Sequence, residues 1–356
     1  MNQNMYSIKV TERKNYSSLD IMKFIMAILI LTQHTCNEWA HSIGLVHDFF
    51  GLGNFAVPFF FACSGFLFFS KCNSFNSYEQ GQYYKKWSIR IGKIYLAWSA
   101  IYFVFVFHNW VCHNFDRNLI LDDVHKALVY STYSTIWFLP ALWIGVSFCY
   151  WMKSRFSRRV LLLTMVMLMI IGNLFGSYSE VLSKVDFLDS INNWYTAVFV
   201  TWRNGIFNGA PYVFIGLAVA EGYGLSRTRF ANAFLAFFFC AAFLCEAFII
   251  SRYHLGGLTD MGFMMAPAIY FMLLTLIQTN FAERKVWIRC RNLSILIFLS
   301  QRLFLSALPG VIPGMSDWIR SLTEPLIYLY FIIVVVTFSF LMEKLSKRYK
   351  ILKILW

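Results

Sequence analysis

The stretch SLDIMKFIMAILILTQHT, residues 18–35, decides how the chain is read. A helix crosses a bilayer with roughly 20 mostly apolar residues. Leu19–Asn37 has that length and character, yet it holds Asp20, Lys23 and His34, with Glu38 just beyond. Ionisable groups inside a span are costly, so each is a functional candidate by default. Basic residues precede the stretch and no small-residue cleavage site follows it. It therefore reads as a retained anchor rather than a signal peptide.

Nine further stretches of this kind follow: Phe49–Ser70, Lys93–Cys112, Thr135–Met152, Val160–Gly176, Gly205–Glu221, Ala231–Ile250, Met261–Thr279, Asn292–Leu308 and Pro325–Met342. They are too long and too uniformly apolar for the alternating strands of a membrane barrel. The reading is an all-α, polytopic transmembrane helix bundle of about ten spans. Its parts are a segment at 1–18, a membrane domain at 19–342 and a basic tail at 343–356.

Composition agrees. Hydrophobic residues make up 58% and charged residues 14% of the 356, against roughly 45–50% and 25% in soluble domains. So few charges cannot cover a water-soluble surface, and so much apolar surface excludes disorder. The net charge of +13 does not point to nucleic acid, because no recognition module accompanies it. The basic residues instead cluster between the spans. With the N-terminus inside and the spans alternating, inner segments hold 24 of the 31 Lys and Arg, and outer segments keep seven. This bias predicts both termini in the cytoplasm, and a multi-pass protein of the cell membrane, in all expectation a bacterial cytoplasmic membrane. The eight cysteines form no CxxC and no metal-ligand spacing, so no metal is expected.

Lys23 and His34 are eleven residues apart, which places them about 20° apart on the helix and about 16 Å apart along it. They share a face. Glu38 lies one turn beyond His34, where it can orient the imidazole. Alternation brings Trp137, Arg203, Gln301 and Arg302 to the depth of His34. At the opposite face, Lys23, Arg90 and Lys93 can form a basic mouth suited to phosphates. Plainer readings stand beside these. Lys23 or Arg302 can be a snorkelling anchor, His34 a helix–helix hydrogen bond, and Trp137 a belt aromatic. Arg90 and Lys93 can be positive-inside charge alone. Glu246 is a lone acid among Phe and Ala in the seventh span and is assigned no chemistry.

At these residues the chain resembles the acyltransferase 3 family of integral-membrane acyltransferases. Asp20, Lys23 and His34 match its Asp-x-x-Arg/Lys start and Arg/Lys-x10-His motif. VPFFFACSGFLF (Val57–Phe68) is similar to its Pro-Phe-Phe and Ser-Gly-Phe block. In YYKKWSIRIGKIYLAW, Arg90 and Lys93 stand at its paired basic positions. TIWFLPAL resembles its His-Leu-Trp-Phe-Leu pattern, and RNGIFNGAPYVFIG its Arg-Asn-Gly-x-Phe block. Each segment alone is a weak signal; the ordered set is specific. The chain departs from the pattern at Lys23 for the commoner Arg, Thr135 for His, and Gln301 for His in LSILIFLSQ.

The resemblance implies an O-acyltransferase using acyl-CoA, usually acetyl-CoA, as co-substrate, with no permanently bound cofactor. The acceptor is a hydroxyl of a cell-envelope or extracellular glycan, or of a lipid-linked sugar. The expected partners are the lipid bilayer and glycan-assembly proteins. In this reading His34 is the general base or transient acyl acceptor. Lys23, Arg90 and Lys93 bind the donor, and Asp20 orients. Trp137, Arg203, Gln301 and Arg302 serve the acceptor or the oxyanion. The rivals are a transporter or flippase for a lipid-linked sugar, and an inactive scaffold in glycan assembly.

Overall fold

The computed structural model describes residues 16–39, 50–279, 281–282 and 284–356. Lys9, Arg13, Lys14, His41 and His47 lie outside the described residues. Among the described residues the fold is wholly helical. The main helices are α1 (Ser17–Trp39), α2 (Ala56–Cys72), α3 (Ser77–Cys112), α4 (Arg117–Val129), α5 (Phe138–Arg155) and α6 (Arg158–Ser177). They continue with α7 (Asp186–Phe199), α8 (Ala210–Ala220), α9 (Arg229–Arg252), α10 (Met265–Ile277), α11 (Lys285–Arg302) and α12 (Glu324–Leu345).

Within the described residues each of the ten apolar stretches contains a helix, the eighth only from Met265 to Ile277. Among the described residues eight helices are long and apolar enough to cross a membrane; Gly205–Ala220 and Met265–Ile277 are apolar but shorter. The two long loops carry helices that the apolar pattern does not mark, α4 and α7. Neither contributes a buried residue. Helix α3 runs for 36 residues, about 54 Å, well beyond the ~30 Å of a bilayer core. Its start is a capping box: the Asn76 side chain accepts from the Glu79 N–H, and the Glu79 carboxylate accepts from the Asn76 N–H, both at 3.0 Å. The basic tail is not free. The buried indole of Trp98 on α3 donates to the Leu355 carbonyl at 3.0 Å.

The core is set by α2 and α8, which touch through small residues. A Cβ at Gly65 would lie 2.5 Å from the Val213 carbonyl oxygen, and one at Gly216 would strike the Ala62 carbonyl. Bare backbone is what lets two helices approach closely in an apolar medium. Helices α1 and α11 pack side by side around this pair, with α3 and α5 closing one flank. A cavity of about 740 Å³ opens between α1, α2, α3, α5 and α11.

Candidate functional site

The cavity has a charged end and an apolar end. Lys23, Lys71, Arg90 and Arg291 line it together with Asp20. Asp20 is buried and accepts two bonds from Arg291, 2.8 Å from Nε and 2.7 Å from Nη2. This fork-on-fork geometry fixes both side chains. Asp20 thus orients a cation, as expected, but the cation is Arg291, which in the sequence is only one of many positive-inside charges. Lys93 is exposed and lies outside the cavity lining. The structure joins Lys23 and Arg90 at the mouth and replaces Lys93 with Lys71 and Arg291. Trp87 and Tyr83 of α3 add an aromatic wall, with Tyr83 stacked on Phe68 at 5.2 Å.

The far end of the cavity is closed by three rings from three helices. Phe60 lies 6.1 Å from Phe138 and 5.4 Å from Phe298, and Phe138 lies 5.4 Å from Phe298. One helical turn past Phe298, α11 carries Gln301 and Arg302. Arg302 Nη2 donates to His34 Nδ1 at 3.1 Å, and the same guanidinium pairs with Glu38. Glu38 therefore reaches the imidazole through Arg302 rather than directly along α1. Gln301 is fully buried and donates to the Phe298 carbonyl at 3.0 Å. Thr135 is buried beside Tyr102, whose hydroxyl donates to the Leu299 carbonyl at 2.7 Å.

Trp137 and Arg203 form a second group. The Arg203 guanidinium lies 5.4 Å from the Trp137 ring, which stacks on Tyr130 at 5.7 Å. Arg203 donates to Asp260 at 2.7 Å, and this carboxylate raises the guanidinium above its ordinary value. Burial pushes the Tyr130 hydroxyl up to about 12, against the pull of Arg203 beside it. Trp137 is buried, so Tyr130 is the aromatic that reaches open space. It lines a second cavity of about 490 Å³ together with Tyr133, Lys126, Asp123 and Ser306. Ser306 donates to the Arg302 carbonyl at 3.1 Å, so this cavity borders both groups.

Local chain chemistry explains the Arg-Asn-Gly run. Val200 has φ +68° and ψ −46°, and the Thr201 N–H closes a γ-turn on the Phe199 carbonyl at 2.7 Å. Such strain on a β-branched residue persists only where surrounding contacts hold it. Asn204 then caps the π-turn Gly205–Gly209, accepting from the N–H groups of Ile206 and Phe207. A Cβ at Gly205 would lie 2.7 Å from the Ile144 Cβ. The run thus aims Arg203, caps the next helix and lets it touch α5.

Sequence reasoning misses Asp260, Tyr130, Lys71 and Arg291 as site residues. Nothing in the spacing singles out Asp260, an acid in the loop before α10. Glu246 also acquires a role. Its carboxylate accepts from the Tyr178 hydroxyl at 2.6 Å and from the N–H groups of Phe263 and Met264 at 2.7 and 2.8 Å. It caps the start of α10 and ties down the loop that carries Asp260. Among the described residues no cluster of metal-ligating side chains occurs.

A family model described as "Acyltransferase domain" (Acyl_transf_3) matches residues 16–344, nearly the whole chain. The chain is also similar to two proteins of Enterococcus faecalis named "Amino-acid racemase". One is 27% identical over 230 residues, which are 62% of this chain and 30% of that protein. The other is 25% identical over 189 residues, 52% of this chain and 26% of that protein. The chain thus spans less than a third of the length of the curated relatives it matches. No solved structure matches it. The chain belongs to the acyltransferase 3 family of membrane acyltransferases.

Proposed function

We propose that the protein moves an acyl group, acetyl in the first instance, from acyl-CoA at the basic end of the bundle to a hydroxyl of an envelope glycan at the opposite end. The observation that carries this reading is the placement of one cavity. It begins among Lys23, Lys71, Arg90 and Arg291 and ends about one helical turn below the His34–Arg302–Glu38 cluster. The mouth suits the phosphates of a nucleotide donor, with Arg90 as the bidentate partner and Lys23, Lys71 and Arg291 adding positive charge. The cavity's volume is within the roughly 300–1,000 Å³ of small-molecule sites. The cytoplasmic side of the mouth follows from the 24-to-7 charge split.

In this reading the donor's thioester comes up the cavity and the acceptor hydroxyl comes down from the Tyr130 cavity. A guanidinium accepts no hydrogen bond. The His34 nitrogen facing Arg302 therefore holds a lone pair, and the ring proton sits on Nε2. The acceptor hydroxyl takes the place of Arg302 at Nδ1. As its oxygen bonds to the acyl carbon, its proton passes to Nδ1. Arg302, kept near by Glu38, turns to the developing oxyanion. The C–S bond then breaks, and the thiolate leaves as CoA-SH with the proton from His34. Gln301 and Arg203 steady the acceptor side.

The alternative reading is a transporter or flippase for a lipid-linked sugar, which a bundle of apolar helices with buried charge also fits. The family match supports transfer over passage. Glycan analysis of a deletion strain decides. Loss of ester groups, restored by the wild-type gene, supports transfer. Unchanged ester content with lipid-linked sugar accumulating on the cytoplasmic side supports the flippase. If both are unchanged, the scaffold reading stands.

A further inference from the structure

We infer that the indole of Trp87 is a stacking platform for the adenine of the acyl donor, at the rim of the basic mouth. This inference rests on the donor reading above and names the residue that recognises the base.

Helix α3 presents one narrow strip to the cavity: Tyr83, Trp87, Arg90, Ile91 and Ile94. At 100° per residue these five lie within about 100° of one another around the axis. Their order along the strip matches the order of groups in an acyl-CoA. Arg90 marks the phosphates. Ile91 and Ile94 lie about 1.5 and 6 Å deeper, on the path of the thin arm that follows the phosphates. Trp87 lies about 4.5 Å to the other side of Arg90, toward the start of α3 and away from the apolar stretch that begins at Lys93. A donor whose arm runs inward from Arg90 has its nucleoside on that side, beside Trp87.

Two aromatic side chains of α3 stand there, and their surroundings differ. Tyr83 is already engaged. It stacks on Phe68 at 5.2 Å with an interplanar angle of 26°. Lys71 Nζ stands 5.1 Å from its ring centre, and Phe75 packs against it at 5.6 Å. Trp87 meets one ring, that of Phe68, at 5.1 Å and a steep 63°. Among the described residues no ring is stacked parallel to the indole, no cation lies over it, and its N–H has no partner. The indole is half-buried. It lines the cavity, whereas a belt aromatic turns to the lipid headgroups. An open aromatic face beside a group of cations is an arrangement that holds a nucleotide, because the base stacks while the phosphates pair.

The test measures binding of acetyl-CoA and of acetyl-phosphopantetheine, which carries the same thioester arm and one phosphate but no adenosine, to the purified full chain in lipid nanodiscs. Wild type should bind acetyl-CoA more tightly by about tenfold or more, the weight of one stacked base. Trp87→Ala should lower acetyl-CoA affinity by about tenfold and leave acetyl-phosphopantetheine unchanged. Trp87→Phe keeps an aromatic face and should retain most of the affinity. Trp87→Leu keeps an apolar side chain without such a face, and decides the matter if the Ala variant does not fold. Equal binding of the two ligands by wild type, an equal loss of both in folded variants, or no loss of either would overturn the platform and leave the donor reading intact. So would a Phe variant as weak as the Ala variant. Wild type that binds neither ligand would overturn the donor reading, and the platform with it.

Discussion

Arg302 of α11 donates to the Nδ1 of His34 on α1 across 3.1 Å, and Glu38, one turn further along α1, holds the other side of the same guanidinium. Two helices far apart in sequence are thereby locked at a depth where apolar side chains predominate. An arginine facing an imidazole is tolerable there only because the glutamate neutralises it. The arrangement keeps a lone pair of His34 occupied by Arg302, the group that the acceptor hydroxyl displaces in the proposed reaction.

His34→Gln should abolish transfer while the protein still inserts and accumulates. Glutamine resembles histidine in size and hydrogen bonding but cannot accept a proton at neutral pH. The expected loss is about 10²–10⁴ in rate, read as glycan ester content per unit of membrane protein. Full acylation by a normally expressed variant would remove His34 from the chemistry.

Glu38→Gln should be milder. It leaves Arg302 beside His34 but strips its counter-charge, a loss of about 1.5–3 kcal/mol for one charge-assisted bond, or about ten- to a hundredfold in rate. An effect as large as that of His34→Gln would mean Glu38 acts on the reacting atoms themselves.

Arg90 and Lys93, equivalent in the sequence, should separate in experiment. Arg90 lines the cavity and Lys93 does not. Arg90→Ala should weaken acetyl-CoA binding by about tenfold, as expected for one charge-assisted contact to a phosphate, and Lys93→Ala should leave it near wild type. Titration calorimetry in nanodiscs measures both, and the reverse order would move the phosphate site.

Gly65→Ala should destabilise the bundle by about 1–3 kcal/mol through overpacking. Its new Cβ would meet backbone, 2.5 Å from the Val213 carbonyl oxygen and 3.0 Å from the Val213 Cα, and backbone cannot swing aside. The thermal midpoint in detergent reports this. Gly81→Ala is the control, because nothing lies within 4 Å of its added Cβ.

Reporter fusions test the topology that the charge split implies. Fusions at Asp122 and Asp186 should read extracytoplasmic, and fusions at Arg158 and Lys285 cytoplasmic. Reversal at any one of the four breaks the alternation.

The sequence by itself determined the helical class, the apolar stretches and the acidic, basic and His positions of the first helix, because hydrocarbon forces backbone bonds to close within each span. It also marked His34 and Lys23 as one face, since that depends on helical pitch alone. What it left open depends on distance between helices. Glu38 lies one turn from His34 along α1, yet it is engaged by Arg302 from α11. Arg291 and Lys93 look alike as flanking charges, but only the packing of α1 on α11 turns Arg291 onto Asp20 and into the cavity. Asp260 finds Arg203 across 57 residues of chain, with no periodicity to announce it. Phe60, Phe138 and Phe298 are three of thirty-eight phenylalanines in the sequence. Only their convergence from three helices makes them the apolar end of one cavity, because side-chain packing between distant segments is decided by the whole bundle at once.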